Sequence, residues 1–288
     1  MKLSVESYTL SNKFGDDRMP AMLKAAGFDA VDYSFYTSSA VRERSLGDGY
    51  REYARELRKR LDDAGLVCNQ SHAPYSINRD NRFDTSDPEY LALTRSIEAA
   101  AILGARSIIV HTLAVEKGTD VIEFNAGFYS TLIPYCESFG IKISVENLFE
   151  QDPKRKYLVG RLGSPAEINA MLDRLDSPCF DACLDIGHAA ITGWEPEDFI
   201  RNLKPGCLKA LHVHDNDYIR DLHKLPFTDR HDRIHWDLVC EALRDTGYDG
   251  DFTFEIISYL ERVPADLMPQ ALSYAAAVGR KLIAMCGE

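Results

Sequence analysis

The feature that most constrains the fold is a repeated alternation of short strand-forming runs with longer amphipathic stretches. Short runs rich in β-branched residues predict strands, and apolar residues at helical spacing predict helices. The predicted strands are Leu3–Tyr8, Ala30–Phe35, Leu66–His72, Ser107–Thr112, Lys142–Leu148, Ala182–Gly187, Ala210–His214 and Phe252–Ile257. The predicted helices include Tyr50–Ala64, Pro88–Leu103, Asp120–Phe139, Pro165–Leu175, Trp236–Thr246 and Ala265–Met285.

Helix start and end signals agree with this division of the chain. Typical starts are Asp87-Pro88, Ser164-Pro165 and Glu195-Pro196, and glycines stand where several helices should end. Those glycines are Gly27, Gly65, Gly104, Gly140 and Gly247. Eight strand–helix units without a linker, in 288 residues, predict a (β/α)8 TIM barrel that forms a single domain over residues 1–288. An open doubly wound sheet is the alternative, but no GxGxxG or Walker loop follows any predicted strand.

Charge and composition narrow the classes of partner. The formal net charge is −12, and such a field repels nucleic acid and anionic membranes. The 7 cysteines include no CxxC pair, which favours reduced thiols over a disulfide framework. We find neither a signal-peptide pattern nor an apolar run of about 18 residues. We therefore predict a cytoplasmic protein that has neither nucleic acid nor a membrane as its partner.

Side-chain alternation along the predicted strands turns polar residues toward the inside of the barrel. Alternate residues of a barrel strand point inward, while the outward ones pack on helices and should be apolar. Phe252 and Phe254 therefore point outward, and Glu255 points inward. The same alternation turns the following side chains inward: Glu146, Asp185, His111, His212 and His214. All of them stand near the carboxyl ends of strands, where barrel active sites lie.

Converging carboxylates and imidazoles indicate a metal site. A buried carboxylate is unfavourable unless it is paired or binds a metal, so several on one axis need a cation. A single inward carboxylate can instead form an ion pair, and a single histidine can be a hydrogen-bonded core residue. However, six of the 8 histidines lie at or just after predicted strand ends: His72, His111, His188, His212, His214 and His223. The joint pattern predicts a divalent-metal site formed by Glu146, Asp185, His212 and Glu255.

These residues also carry a family resemblance that runs over nearly the whole chain. The motifs, in order, are Ser71-His72-Ala73-Pro74-Tyr75, Val110-His111-Thr112, Val145-Glu146-Asn147, Leu184-Asp185-Ile186-Gly187-His188, Leu211-His212-Val213-His214-Asp215 and Gly247-Tyr248-Asp249-Gly250 before Phe254-Glu255. Their order and spacing resemble the xylose isomerase-like barrel superfamily. That superfamily contains sugar isomerases and epimerases and also endonuclease IV.

The resemblance implies a ligand set and a cofactor. Ketose 3-epimerases of this superfamily hold one metal, often Mn²⁺ or Co²⁺, through a Glu, an Asp, a His and a second Glu. The corresponding residues are Glu146, Asp185, a histidine of the seventh predicted strand, and Glu255, and Mg²⁺ and Zn²⁺ are further candidates for the ion. His212 is the favoured histidine because it stands three residues before Asp215, and His214 competes with it.

The implied activity is that of a metal-dependent isomerase or epimerase acting on a sugar or sugar phosphate. Glu146 or Glu255 would remove the proton α to a carbonyl, giving a metal-bound enediolate, and the other glutamate would return a proton. A substrate with a leaving group β to the carbonyl would make the same site a lyase.

The resemblance to endonuclease IV implies a different use of the barrel, as a zinc-dependent AP endonuclease. That enzyme binds three zinc ions through nine ligands, and the corresponding residues are His72, His111, Glu146, Asp185, His188, His212, Asp221, His223 and Glu255. The net charge of −12 and the acidic loops at 15–17 and 47–49 argue against a DNA-binding rim.

Residues around the predicted centre are candidates for substrate contacts. His188 matches a substrate-binding histidine of the epimerases, and Tyr75 and Trp194 stand on loops after strands. Arg220 stands six residues after His214, the spacing at which the epimerases place an arginine after their metal histidine, whereas Tyr218 has that spacing from His212. Because many relatives are dimers or tetramers, the resemblance also suggests a homo-oligomer.

Overall fold

A parallel barrel forms the body of the protein in the computed structural model, which describes residues 1–36, 38–74, 82–151 and 158–287. The barrel strands are β1 Leu3–Glu6, β2 Ala30–Ser34, β3 Val67–His72, β4 Ser107–Ile109, β5 Lys142–Glu146, β8 Phe180–Asp185, β9 Leu208–His212 and β10 Phe252–Phe254. They pair in the order β10-β1-β2-β3-β4-β5-β8-β9. Backbone contacts join the two ends of this sheet, because the Val213 N–H donates to the Thr253 carbonyl at 2.8 Å. An antiparallel hairpin, β6 Leu148–Gln151 and β7 Leu158–Arg161, follows β5.

Helices follow the strands and surround the barrel. They are α1 Tyr8–Phe14, α2 Met19–Ala26, α3 Ser39–Leu46, α4 Tyr50–Ala64, α5 Pro88–Leu103, α6 Val121–Ser130, α7 Ile133–Phe139, α8 Pro165–Leu175, α9 Ile186–Ile191, α10 Pro196–Asn202, α11 Trp236–Asp245, α12 Ile257–Arg262 and α13 Met268–Gly287. A short 3-10 helix, Ala265–Leu267, precedes α13. No helix in the described ranges is both long enough and apolar enough to cross a membrane.

Local capping chemistry explains why some predicted helices match the structure to the residue. The Asp87 side chain accepts a hydrogen bond from the Glu89 N–H and begins α5. Ser164 and Glu167 form a reciprocal capping box at the start of α8. The prediction of one helix over 120–139 was wrong, because the chain breaks it between α6 and α7. Pro134 lies in the first turn of α7. Proline has no backbone N–H, so inside a continuous helix it would leave one helical hydrogen bond unmade.

All strands of the barrel except β3 end earlier than predicted at their carboxyl ends. β1, β4 and β10 stop two or three residues before the predicted limits, and the predicted strand at 182–187 ends at Asp185, where α9 begins. The physical reason is that the last residues of each run leave the sheet and form the loops above the barrel. The apolar alternation continues past the last ladder hydrogen bond and therefore does not mark the strand end.

The barrel interior is unusually polar. TIM barrels commonly fill this space with branched apolar residues. Here the interior contains Ser4, Asn69, Gln70 and Thr253, all buried and hydrogen-bonded to one another. The apolar core instead lies between the strands and the helices, where the outward side chains of the strands pack.

Candidate metal centre

Four polar side chains meet at the carboxyl ends of four neighbouring strands. Glu146, Asp185 and His212 are the last residues of β5, β8 and β9, and Glu255 follows β10 directly. All four are buried. Parallel strands bring their carboxyl ends to one edge of the barrel, so residues far apart in sequence lie side by side there. We call these four residues the main cluster.

The geometry of the main cluster suits a cation. One potential ligand atom from each of the four residues lies within 4.8 Å of those of the others. The Nδ1 atom of His212 is 3.1 Å from a Glu146 oxygen, 3.2 Å from a Glu255 oxygen and 3.9 Å from an Asp185 oxygen. Three carboxylates and one imidazole form a mixed oxygen and nitrogen set of the kind that Mn²⁺, Co²⁺ or Zn²⁺ accepts.

Asn147 joins two of the three strand ends that carry carboxylates of the main cluster. Its side-chain oxygen accepts a hydrogen bond from the Asp185 N–H at 2.7 Å, and its amide donates to the Asp185 carbonyl at 2.9 Å. This paired contact joins the ends of β5 and β8. Asn147 belongs to the motif Val145-Glu146-Asn147, but its role is visible only in the structure.

A second cluster lies beside the first and consists of His188, His214, Asp221 and His223. His214 Nε2 lies 3.0 Å from an Asp185 oxygen, so Asp185 contacts both clusters. His223 stacks on His214 with ring centroids 4.1 Å apart, and its Nε2 lies 3.0 Å from an Asp221 oxygen. His223 has a positive φ of 40°, a conformation uncommon outside glycine that surrounding contacts must hold.

The structure gives different neighbours to His212 and His214, the two histidines that compete for the ligand position after the seventh predicted strand. His212 ends β9 and points to the main cluster, whereas His214 lies two residues later, in the second cluster. Both are fully buried. Both residues occupy inward positions in the side-chain alternation. The path of the chain beyond β9 gives them different neighbours.

Burial and charge act in opposite directions on the main cluster. Burial raises the pKa of Glu146, but the positive charges of His212 and His111 outweigh it and hold that pKa well below its ordinary value. Burial likewise raises the pKa of Asp185, and the histidines of the second cluster lower it by more. Burial lowers the pKa of His212, whereas the carboxylates of Glu255 and Glu146 raise it to a net value above the ordinary one. The carboxylates of Glu146 and Asp185 thus stay ionised while positive charge lies beside them, and a divalent cation supplies such charge.

Two acidic residues of this region are absent from the sequence prediction. Asp32 in β2 is fully buried, and its Oδ1 lies 3.1 Å from His72 Nδ1. Asp32, His72 and His212 form a third cluster with potential ligand atoms within 4.8 Å of one another. Glu6 ends β1, and burial raises its pKa to about 8 against the lowering effect of His72. The alternation argument finds both residues when it is applied to β1 and β2, since Val5 and Val31 point outward.

The remaining predicted residues have different surroundings. His111 Nε2 lies 2.9 Å from a Glu146 oxygen. Trp194 packs edge to face on Phe199, with ring centroids 6.0 Å apart. The Arg220 guanidinium binds Asp217 at 2.6 Å and is mostly exposed. Tyr75 lies outside the described residues.

Buried atoms without partners test whether these residues fit a metal. His72 Nε2, His212 Nε2, His214 Nδ1 and Asp221 Oδ1 are buried and have no hydrogen-bond partner among the described residues. Burying an unpaired polar atom typically costs about 1–3 kcal/mol. Their concentration at one end of the barrel, beside carboxylates within ligand distance of one another, fits a site that holds one or more cations.

The fold and this centre define a parallel β/α barrel with a carboxylate and imidazole site at the carboxyl ends of its strands. The chain belongs to the xylose isomerase-like TIM barrel family, whose model matches residues 20–285. An uncharacterized protein of Methanocaldococcus jannaschii, MJ1311, is 26% identical over 264 residues, which cover 86% of this chain and 85% of that protein.

Two solved structures illustrate the similarity in fold. A D-tagatose 3-epimerase-like protein has a TM-score of 0.73 at 20% identity, covering 100% of this chain and 98% of that one. The D-psicose 3-epimerase of Clostridium cellulolyticum, solved with D-tagatose, has a TM-score of 0.72 at 17% identity, covering 98% and 99%. At these identities the likeness shows the shared barrel.

Proposed function

We propose that this protein is a divalent-metal-dependent isomerase or epimerase of a sugar or sugar phosphate, acting as a single-domain cytoplasmic enzyme over residues 1–288. The observation that carries the proposal is the main cluster, in which two buried glutamates each bring an oxygen to within 3.2 Å of the same nitrogen, His212 Nδ1. Names of similar structures, which include sugar 3-epimerases, support the substrate class.

Glu146, Asp185, His212 and Glu255 would hold the metal, which would act as a Lewis acid toward a carbonyl oxygen. The chain's own residues would move the proton. One glutamate would take the proton from the carbon α to the carbonyl, and the other would return it from the opposite side. His111 lies 2.9 Å from Glu146 and would keep that carboxylate oriented. We also propose that His72 and His188 contact the substrate hydroxyls.

The direct test is hydrogen exchange at carbon. The purified protein, supplied with Mn²⁺ or Co²⁺, is incubated in D₂O with ketohexoses that include D-tagatose and D-fructose and with their phosphate esters. Deuterium at carbon 3 with inversion identifies an epimerase, and an aldose product that carries deuterium at carbon 2 identifies an isomerase. Loss of water from the sugar identifies a lyase, and an absence of exchange across the panel contradicts the proposal.

Two isosteric substitutions test the acid/base assignment. Glu146→Gln and Glu255→Gln keep the shape of the site but remove a proton acceptor, so each should reduce exchange by at least about 100-fold. Glu123→Gln is the matched control, since Glu123 is an exposed glutamate paired with Arg174 on the helices. Exchange that persists in either site variant contradicts the assignment of that residue.

A zinc-dependent AP endonuclease is a second candidate because of the second cluster. The residues that correspond to the nine zinc ligands all surround the barrel mouth, and three of them, His188, Asp221 and His223, belong to that cluster. One sequence argument against this function weakens, because Asp16 is buried and accepts a hydrogen bond from Tyr33 rather than facing solvent. The net charge of −12 still opposes DNA binding.

Metal content separates the two candidates. Protein purified without chelators is measured for bound metals and then tested for incision of a duplex that contains one abasic site. Three tightly held zinc ions with incision support the endonuclease. One exchangeable Mn²⁺ or Co²⁺ without incision supports the isomerase or epimerase.

A further inference from the structure

A continuous hydrogen-bonded chain runs through the polar interior of the barrel to the third cluster. The Ser4 hydroxyl donates to the Asn69 side-chain oxygen at 2.7 Å, and the Asn69 amide donates to the Thr253 hydroxyl at 3.0 Å. Thr253 donates to the Gln70 side-chain oxygen at 3.3 Å, and the Gln70 amide donates to Asp32 at 2.9 Å. Every donor in this chain points toward Asp32.

The chain of hydrogen bonds ends at Asp32, which lies between two imidazole rings. Its Oδ1 lies 3.1 Å from His72 Nδ1, and its Oδ2 lies 3.7 Å from His212 Nε2. The opposite nitrogens of the two rings face the main cluster. His212 Nδ1 lies 3.2 Å from a Glu255 oxygen, and His72 Nε2 lies 3.9 Å from the other oxygen of Glu255.

We propose that Asp32 is a positioning residue that fixes the tautomer of His72. His212 Nε2 lies 3.7 Å from Asp32, which is beyond hydrogen-bond distance. An ionised carboxylate only accepts hydrogen bonds, so the Asp32 oxygen that lies 3.1 Å from His72 Nδ1 holds a proton on that nitrogen. His72 Nε2 is then left with a lone pair directed at the main cluster. Histidines that bind metals typically donate their other N–H to a carboxylate in this way.

The interior chain explains why Asp32 can have this role. Gln70 must present its amide to Asp32, because its oxygen is already the acceptor for Thr253. Thr253 is in turn fixed as a donor toward Gln70 because it accepts from Asn69. The orientation of each group thus determines the next, and the polar interior places a donor on one Asp32 oxygen while the other oxygen faces His72 Nδ1.

The inference deepens the proposed function, on which the catalytic meaning of His72 rests, but its test needs no substrate. Protein labelled with ¹⁵N-histidine is loaded with Zn²⁺, and long-range proton–nitrogen spectra locate the proton on each ring. We expect a proton on Nδ1 of His72. A proton on Nε2 of His72 in the unmodified protein overturns the proposal, whatever the variants do.

Asp32→Asn replaces one acceptor oxygen with a donor group of the same shape. We expect the His72 proton to move to Nε2 and Zn²⁺ affinity, measured by chelator competition, to fall by roughly 10–100-fold. Asp181→Asn is the matched control, because Asp181 is a buried carboxylate that accepts from Ser144 at 2.5 Å. It should change neither the tautomers nor Zn²⁺ affinity.

The tautomer of His72 distinguishes a positioning role of Asp32 from a simple effect of losing its charge. Weaker Zn²⁺ binding by Asp32→Asn with unchanged tautomers is a charge effect and overturns the proposal. If Asp32→Asn does not fold, the spectra of the unmodified protein decide alone. A failure to exchange sugar protons in D₂O contradicts the proposed function and leaves this test intact.

Discussion

Gly187 and His214 lie so close together that one added methyl group should disturb the site. A Cβ atom on Gly187 would lie 2.0 Å from His214 Cε1 and 2.6 Å from each ring nitrogen. Packed carbon atoms are about 3.5–4.0 Å apart, so the overlap in Gly187→Ala is roughly 1.5–2 Å. His214 is fully buried and contacts Asp185 at 3.0 Å, so its ring must leave that position.

The expected loss of stability combines three effects. Overpacking a core costs about 1–3 kcal/mol. Breaking the contact between His214 and the Asp185 carboxylate costs about 1.5–3 kcal/mol. Gly187 lies in α9, where alanine regains about 1 kcal/mol of helix propensity. We therefore expect Gly187→Ala to lower the free energy of unfolding by about 1.5–5 kcal/mol.

Urea unfolding of five proteins tests this reasoning: the unmodified protein, Gly187→Ala, Gly127→Ala, His214→Ala and the double variant of Gly187 and His214. Gly127→Ala is the matched control, because Gly127 also lies within a helix but has no atom within 4 Å of an added Cβ. It should be neutral or stabilise by up to about 1 kcal/mol. In a His214→Ala background the clash is gone, so Gly187→Ala should cost less than about 0.5 kcal/mol there. An equal cost in both backgrounds would falsify the explanation.

Three further outcomes are expected. Burial raises the pKa of Asp181 to about 6 from an ordinary 3.8, so the folded state binds this proton more tightly and loses stability as pH rises from about 4 to about 6. Asp181→Asn should therefore raise the unfolding free energy by about 2–3 kcal/mol at pH 7.5 and change it little at pH 4, as urea unfolding at both values will show. Saturating Mn²⁺ at about 100 times its dissociation constant should stabilise the chelator-stripped protein by about 2.7 kcal/mol, and a thermal scan of His212→Ala should show no such gain. Gly279→Ala should cost about 1–3 kcal/mol in urea, because its Cβ would lie 2.4 Å from Leu3 and 2.8 Å from Phe254; an unchanged midpoint contradicts this packing.

The barrel was predictable because local and global signals agree along most of the chain. The outward faces of the strands pack on helices and the inward faces point to the axis, so alternation alone separates Val145 from Glu146 and Phe254 from Glu255. Two helices that end at a glycine, α4 and α5, begin and end where predicted, and α5 also has a capping residue, Asp87. The xylose isomerase-like family was confirmed by the match over residues 20–285.

The division of the site into clusters was not predictable in the same way. His214 lies beyond the end of β9, so its neighbours depend on the loop and on the absence of a side chain at Gly187. The loop that carries His223 adopts a positive φ there, which no sequence pattern specifies. Glu6 and Asp32 were predictable, because the alternation in β1 and β2 turns them inward, but neither belongs to the quoted motifs.

The sharing of Asp185 between two clusters links the number of metal ions to the chemistry. One of its oxygens lies 3.0 Å from His214 Nε2, and the other lies 3.9 Å from His212 Nδ1. If only the main cluster holds an ion, the Asp185 carboxylate binds that ion and His214 orients the carboxylate. Residues that hydrogen-bond to a metal ligand commonly have this role. If the second cluster also holds an ion, Asp185 lies between two cations, a geometry that suits in-line displacement at phosphorus better than proton transfer at carbon. Replacement of His223 distinguishes these cases, because it removes a ligand only if the second cluster binds metal.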